Sequence, residues 1–126
     1  MPKTAIVTTD APAPVAAYSQ AVRKGNILQV AGQGPADPET GQFAGTTIAA
    51  QTRQVMRNIQ AILRAAGADF DDVVMMRVYL TESAHFAGMN DVYQEFVTVP
   101  YPGRTTVYVG LPPGMLVEID ALAVLD

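Results

Sequence analysis

A chain of 126 residues with a formal net charge of −4 suits one compact domain, and its eight scattered Lys and Arg residues form no stripe that would neutralise phosphates. Hydrophobic residues make up 49% and charged residues 16%, too apolar for a disordered chain and apolar enough, at this size, to leave surface for self-association. The absence of cysteine and the single histidine, His85, exclude disulfides, thiol nucleophiles, a Ser-His-Asp relay and multi-histidine metal sites.

The first strand is expected over Thr4 to Thr8, before Asp10-Ala-Pro-Ala-Pro14, whose two prolines rule out regular structure. Tyr18 to Val22 and Ile27 to Ala31 are apolar-rich runs flanking Arg23-Lys24-Gly25-Asn26, the pattern of a hairpin. Gly32-Gln-Gly-Pro35 and Asp37-Pro-Glu-Thr-Gly41 then read as an irregular loop. Gly32-Gln-Gly34 lacks the third glycine and the following helix of a dinucleotide fingerprint.

Ile48 to Ala66 carries the clearest helical periodicity, with Val55, Met56, Ile59, Ile62 and Leu63 on one face and Arg53, Arg57, Gln60 and Arg64 on the other. Thr46 or Thr47 is placed to cap it and Gly67 to end it. Val73 to Leu80 is apolar on both alternating faces apart from Arg77, as in a central strand covered on both sides. Ser83 to Val97 predicts a second helix with Phe86, Met89, Tyr93 and Phe96 on one stripe. Arg104 to Val109 and Leu116 to Leu125 complete the chain as two strands joined through Leu111-Pro-Pro-Gly114. The order defines an α+β domain, one mixed sheet with two helices on one face, whose other face calls for partner subunits. No apolar run approaches a membrane span and the N-terminus lacks a signal-peptide pattern, so no membrane contact and a cytoplasmic location are expected.

Arg104 carries the most chemical information. It follows Pro102-Gly103, opens an uncharged strand and shares a face with Thr106 and Tyr108. A guanidinium there either holds a carboxylate ligand by two parallel hydrogen bonds or forms an ordinary ion pair. Glu118 and Asp120 share one face of the last strand while Val117, Ile119 and Ala121 point the other way. Acids in an apolar strand need solvent or partners. Both either face water or, if the last two strands pair, lie near Arg104, where a carboxylate would position a water beside a bound acid. His85 reads as a surface or capping residue, and Tyr18 and Asn90 are weak signals alone.

Taken together, these segments resemble the RidA (YjgF-type) reactive intermediate deaminase family from about Ala11 to Val124. The likeness rests on Tyr18-Ser-Gln-Ala-Val22, Ala31-Gly-Gln-Gly-Pro35, Asp37-Pro-Glu-Thr-Gly41, Ala50-Gln-Thr-Arg-Gln54 with Asn58, Asp71-Asp-Val-Val74, Val78-Tyr-Leu80, Met89-Asn-Asp-Val-Tyr93, Pro102-Gly-Arg-Thr-Thr106 and Val117-Glu-Ile-Asp-Ala121. It implies a single chorismate-mutase-like domain over residues 1–126, assembled as a homotrimer with sites in clefts between subunits. It further implies hydrolysis of 2-imino or enamine acids, such as 2-aminoacrylate, to 2-keto acids and ammonia, with no cofactor and no metal. Arg104 matches the arginine that binds the substrate carboxylate and Glu118 the glutamate that holds or activates water. Tyr18, the backbone at Gly32, Asn90 and Thr106 match positions lining the pocket. Gly34 stands where a branched apolar residue is common, which would enlarge the pocket, Pro-Gly-Arg replaces Pro-Ala-Arg, and the loop before Arg104 is a few residues shorter than in many relatives.

The alternative of another class is a non-catalytic keto-acid or amino-acid binding or regulatory protein of the same fold. Such a sensor needs Arg104 but not Glu118. The ribonuclease role sometimes attached to the family fits poorly with an acidic chain that lacks a basic groove.

Overall fold

The computed structural model describes residues 2–126. Six strands, β1 (Thr4–Ile6), β2 (Ala21–Lys24), β3 (Ile27–Gln33), β4 (Val73–Leu80), β5 (Gly103–Tyr108) and β6 (Val117–Val124), form one sheet in the order β1-β2-β3-β6-β4-β5. All neighbours are antiparallel except the parallel pair β4 and β5. Helices α1 (Ile48–Ala65) and α2 (Phe86–Tyr93) complete the fold, the latter lying on the crossover from β4 to β5.

The hairpin forms with strands running closer to the turn than the apolar runs suggested. Lys24 pairs with Ile27, leaving Gly25 and Asn26 as the loop. Gly25 has φ 61°, at the loop position that a type II′ hairpin turn reserves for glycine. β1 ends at Ile6 rather than Thr8 because the buried Gln20 side chain captures the chain beyond it. Its Oε1 accepts from the Thr8 N–H at 2.8 Å, and its Nε2 donates to the Thr8, Ala11 and Pro12 carbonyls.

Helix α1 matches its periodicity closely. The Thr47 hydroxyl accepts from the Ala50 N–H, and Gly67 at φ 77° closes a Schellman motif in which the Ala68 N–H donates to Leu63 and the Gly67 N–H to Arg64. Its Val55, Met56, Ile59, Ile62 and Leu63 are fully buried against Leu28 and Val30 of β3, Met76, Val78 and Leu80 of β4, and Val117 and Ile119 of β6. Each such side chain contributes about 1.5–3 kcal/mol relative to exposure.

Two expectations need correction. The second helix does not run from Ser83 to Val97: a 3₁₀ turn occupies Ser83–His85 and α2 stops at Tyr93, followed by turns. Beyond Tyr93 the hydrogen bonds tighten to i−3, the Glu95 N–H donating to Val92 and the Phe96 N–H to Tyr93, and the β-branched run Val97-Thr98-Val99 before Pro100 disfavours a resumed helix. Nor do the last two strands pair. β4 lies between β5 and β6, because β5 joins the outer edge of β4.

All the helices lie on one face. On the other, Ile27, Val107 and Val124 are 44%, 38% and 38% exposed, so β4 is covered on one side only within a single chain. Among the described residues no helix is long and apolar enough to cross a membrane.

Candidate functional site

The functional candidates divide into two groups on opposite faces of the sheet. Arg104 pairs in register with Met76, whose side chain lies in the core, so it projects to the helix face. There its guanidinium carbon lies 4.8 Å from the centre of the Tyr93 ring and 5.4 Å from that of Phe86. Its Nη1 donates to Oδ1 of Asn90 at 2.7 Å. Phe86, Asn90 and Tyr93 fall at i, i+4 and i+7 along α2, one face of a helix. The cation is thus stacked and tethered, at an edge strand where its other N–H groups stay free of protein acceptors among the described residues. Within one chain no carboxylate among them pairs with it.

A half-buried guanidinium fixed by two rings and an amide keeps N–H donors free in a fork that matches a planar anion such as a carboxylate. It opens on a cleft of about 330 Å³ lined by Asn90, Tyr93, Gln94, Val97, Tyr101, Pro102 and Arg104. Burial pushes the Tyr93 phenol up, against the opposing pull of the Arg104 charge. Thr106, in register with buried Val78, follows Arg104 on the same face.

Glu118 belongs to the second group. It pairs with Tyr79 across β4 and β6 and points away from the helices, as Val117 and Ile119 point toward them. The register of β3 against β6 slips between Val30 and Gln33, a bulge that places Gly32 beside Glu118. A Cβ at Gly32 would lie 2.7 Å from Oε2 of Glu118, so the carboxylate rests directly on bare backbone. Burial, and then the charge of Asp120, raise Glu118 above the usual carboxylate range. Asp120, 8% exposed, accepts from Nε of Arg77 at 2.9 Å and from the Tyr79 hydroxyl at 3.0 Å.

Within one chain, therefore, Arg104, Asn90 and Thr106 share one face and Glu118 and Gly32 the other. The expectation that Glu118 or Asp120 sits near the Arg104 strand fails because β4 intervenes. Tyr18, 47% exposed in the segment before β2, accepts a 3.4 Å hydrogen bond from the Val15 N–H and none from either group. His85 lies 3.8 Å from Glu82, a loose contact on the surface. At Gly34 the methyl of Met115 lies 2.7 Å from where a Cβ would stand, so within one chain that space is taken by Met115.

Sequence reasoning missed several contributors. Phe86 and Tyr93 were legible only as an apolar stripe, although their spacing with Asn90 was available as a signal. Val97 and Tyr101 carried none, and Pro102 only its place before Gly103-Arg104, because the cleft arises from the chain reversal after α2. Two buried polar residues of α1 position the loops. Asn58 donates to the carbonyls of Gly34 and Ala36, and Gln51 donates to Gly114 and accepts from the Leu116 N–H. Among the described residues no three His, Asp or Glu side chains gather as a metal site.

The chain is thus a single α+β domain with both helices on one sheet face and an arginine, unpaired with any carboxylate among the described residues, at a cleft. The family model described as Endoribonuclease L-PSP matches residues 8–125. The crystal structure of RidA from the Antarctic bacterium Psychrobacter sp. superposes with a TM-score of 0.92 at 42% identity, covering 97% of this chain and 99% of that one. TdcF of E. coli with bound serine gives a TM-score of 0.92 at 35% identity, covering 98% and 99%. Reactive Intermediate Deaminase A of Arabidopsis thaliana, chloroplastic, is 36% identical over 124 residues, 98% of this chain and 66% of the relative. The chain belongs to this family, the RidA (YjgF-type) proteins.

Proposed function

We propose that this protein is a 2-iminobutanoate/2-iminopropanoate-type deaminase, a hydrolase acting on C=N bonds. It converts 2-imino or enamine acids, 2-aminoacrylate among them, to 2-keto acids and ammonia. The observation that carries this reading is Arg104, a stacked and tethered cation without a carboxylate partner at the edge of a cleft. The name of the Arabidopsis relative, which points to deamination, and the serine held by the E. coli relative, which is an amino acid, support it.

The chemistry asks little of the site. An imine beside a carboxylate already hydrolyses in water, so holding it and aiming a water supply the acceleration. Arg104 binds the carboxylate and favours electron withdrawal at the imine carbon as water adds. Glu118 takes a proton from that water and returns one to the departing nitrogen, giving the keto acid and ammonia. A carboxyl raised above its usual range is suited to both steps.

Because Arg104 and Glu118 project from opposite faces of one sheet, we place the complete site between subunits of a homotrimer, Arg104, Asn90 and Thr106 coming from one copy and Glu118, Gly32 and Tyr18 from the next. The uncovered apolar sheet face supports association. A ribonuclease reading gains nothing from an acidic chain with scattered basic residues.

The test is competition for imines. An L-amino-acid oxidase with catalase generates a panel of 2-imino acids in the presence of semicarbazide. The native protein is expected to suppress semicarbazone formation, and Arg104→Ala to lose at least about a hundredfold in kcat/KM while keeping its fold. Full activity in that variant would remove the mechanism. No suppression by the native protein with any imine would leave a keto-acid sensor in its place.

A further inference from the structure

We infer that the cleft beside Arg104 is a side-chain subsite, built for the apolar side chain of the 2-imino or 2-keto acid whose carboxylate Arg104 holds. The inference rests on the carboxylate-binding role given to Arg104 above and specifies the substrates: leucine- to phenylalanine-sized side chains are preferred to the methyl of the three-carbon acid.

The direction of approach is fixed first. Asn90 occupies one edge of the guanidinium, and the rings of Phe86 and Tyr93 lie against it. The remaining N–H groups are left for a carboxylate, and Arg104 itself lines the cleft. The volume of about 330 Å³ falls within the ~300–1,000 Å³ typical of small-molecule sites and exceeds what a three-carbon acid fills. Once Arg104 and Asn90 engage the carboxylate, the remaining lining is Tyr93, Val97, Tyr101 and Pro102, with Gln94 exposed at the mouth. None of these side chains carries a formal charge at neutral pH, and the rings of Tyr93 and Tyr101 with Val97 and Pro102 give the lining apolar surface, while the Tyr93 hydroxyl, buried without a partner among the described residues, and the Gln94 amide are its polar groups.

The wall is also preformed. Tyr101 stands between Pro100 and Pro102, which fix φ on either side of it. Tyr101 is 61% exposed, leaving apolar surface open beside Arg104. The flanking prolines reduce the backbone freedom that must be lost on binding.

Binding measured by calorimetry tests the subsite independently of turnover, with pyruvate, 4-methyl-2-oxopentanoate and phenylpyruvate as probes. The native protein is expected to bind the two larger acids about tenfold more tightly than pyruvate, the low end of what apolar groups contribute in a pocket. In Tyr101→Ala the two larger acids lose more affinity than pyruvate does, so that the preference falls to within about threefold, and Tyr101→Phe retains it. Equal binding of the three acids by native protein, no binding of any, or a loss in Tyr101→Ala that is the same for all three would overturn the subsite. Failure of the deaminase reading looks different: the binding preference survives, and no imine in the panel is hydrolysed.

Discussion

At the scale of single residues, Gly32 and Glu118 illustrate how a small residue serves a large one. Gly32 has no positive φ, so alanine suits its backbone, and the atom a new methyl would strike is the mobile end of Glu118 rather than the main chain. We expect Gly32→Ala to leave stability within about 1 kcal/mol and to lower kcat about ten- to a hundredfold, since the carboxylate must swing away from its resting place. Thermal melts alongside imine kinetics check this, and an unchanged kcat would show that the resting position of Glu118 is not the working one. The glycine was legible in the sequence only as a bend or an exposed N–H. Its reason lies in a side chain 86 positions further on (118 − 32). Arg104 was more legible, because alternation after Pro102-Gly103 gave its face. What sequence left open was its partner, which proved to be two rings and an amide rather than an acid.

At the scale of elements, α1 could be read because amphipathic periodicity, an N-cap and a C-terminal glycine agree with one another. Helix α2 overran in the reading because its apolar stripe continues through Phe96, which packs on the core from a turn. The placement of β6 between β3 and β4 was not legible, since adjacency in sequence suggested β5 as its neighbour. β6 itself sets the acid–base behaviour of the candidate site. It carries Glu118 and Asp120 two residues apart on one face, with Arg77 and Tyr79 of β4 bonded to Asp120. Burial first and the Asp120 charge second raise Glu118. If ionised Glu118 is the base, the acid limb of kcat/KM should therefore lie above the usual glutamate range, and Asp120→Asn should move it to lower pH. A limb at the usual value in the native protein would contradict this. The sign for stability follows by linkage: the folded state holds this proton more tightly than the unfolded chain. The resulting stabilisation is complete at pH below the unfolded value and is lost as pH rises through the folded one. Glu118→Gln should accordingly gain in melting temperature relative to native protein across that rise.

At the scale of the whole molecule, a single chain presents two half-sites back to back, and the way to ask whether they meet is to let defective copies repair one another. Arg104→Ala lacks the anchor and Glu118→Gln the base, so each homo-oligomer should be inactive or nearly so. Mixed by co-expression or joint refolding in equal amounts, the two chains combine at random. A site shared between neighbours works when its arginine comes from the Glu118→Gln chain and its glutamate from the Arg104→Ala chain. Each condition holds for half of the subunits, so about one quarter of the sites should be intact. A site contained in one chain would gain nothing, because every chain in the mixture lacks one of the two groups. Activity near a quarter of native in oligomers shown to be mixed places Arg104 and Glu118 across an interface. No recovery in the same oligomers would mean that the opposite faces of the sheet do not work together, and that Arg104 with its cleft must be explained without Glu118.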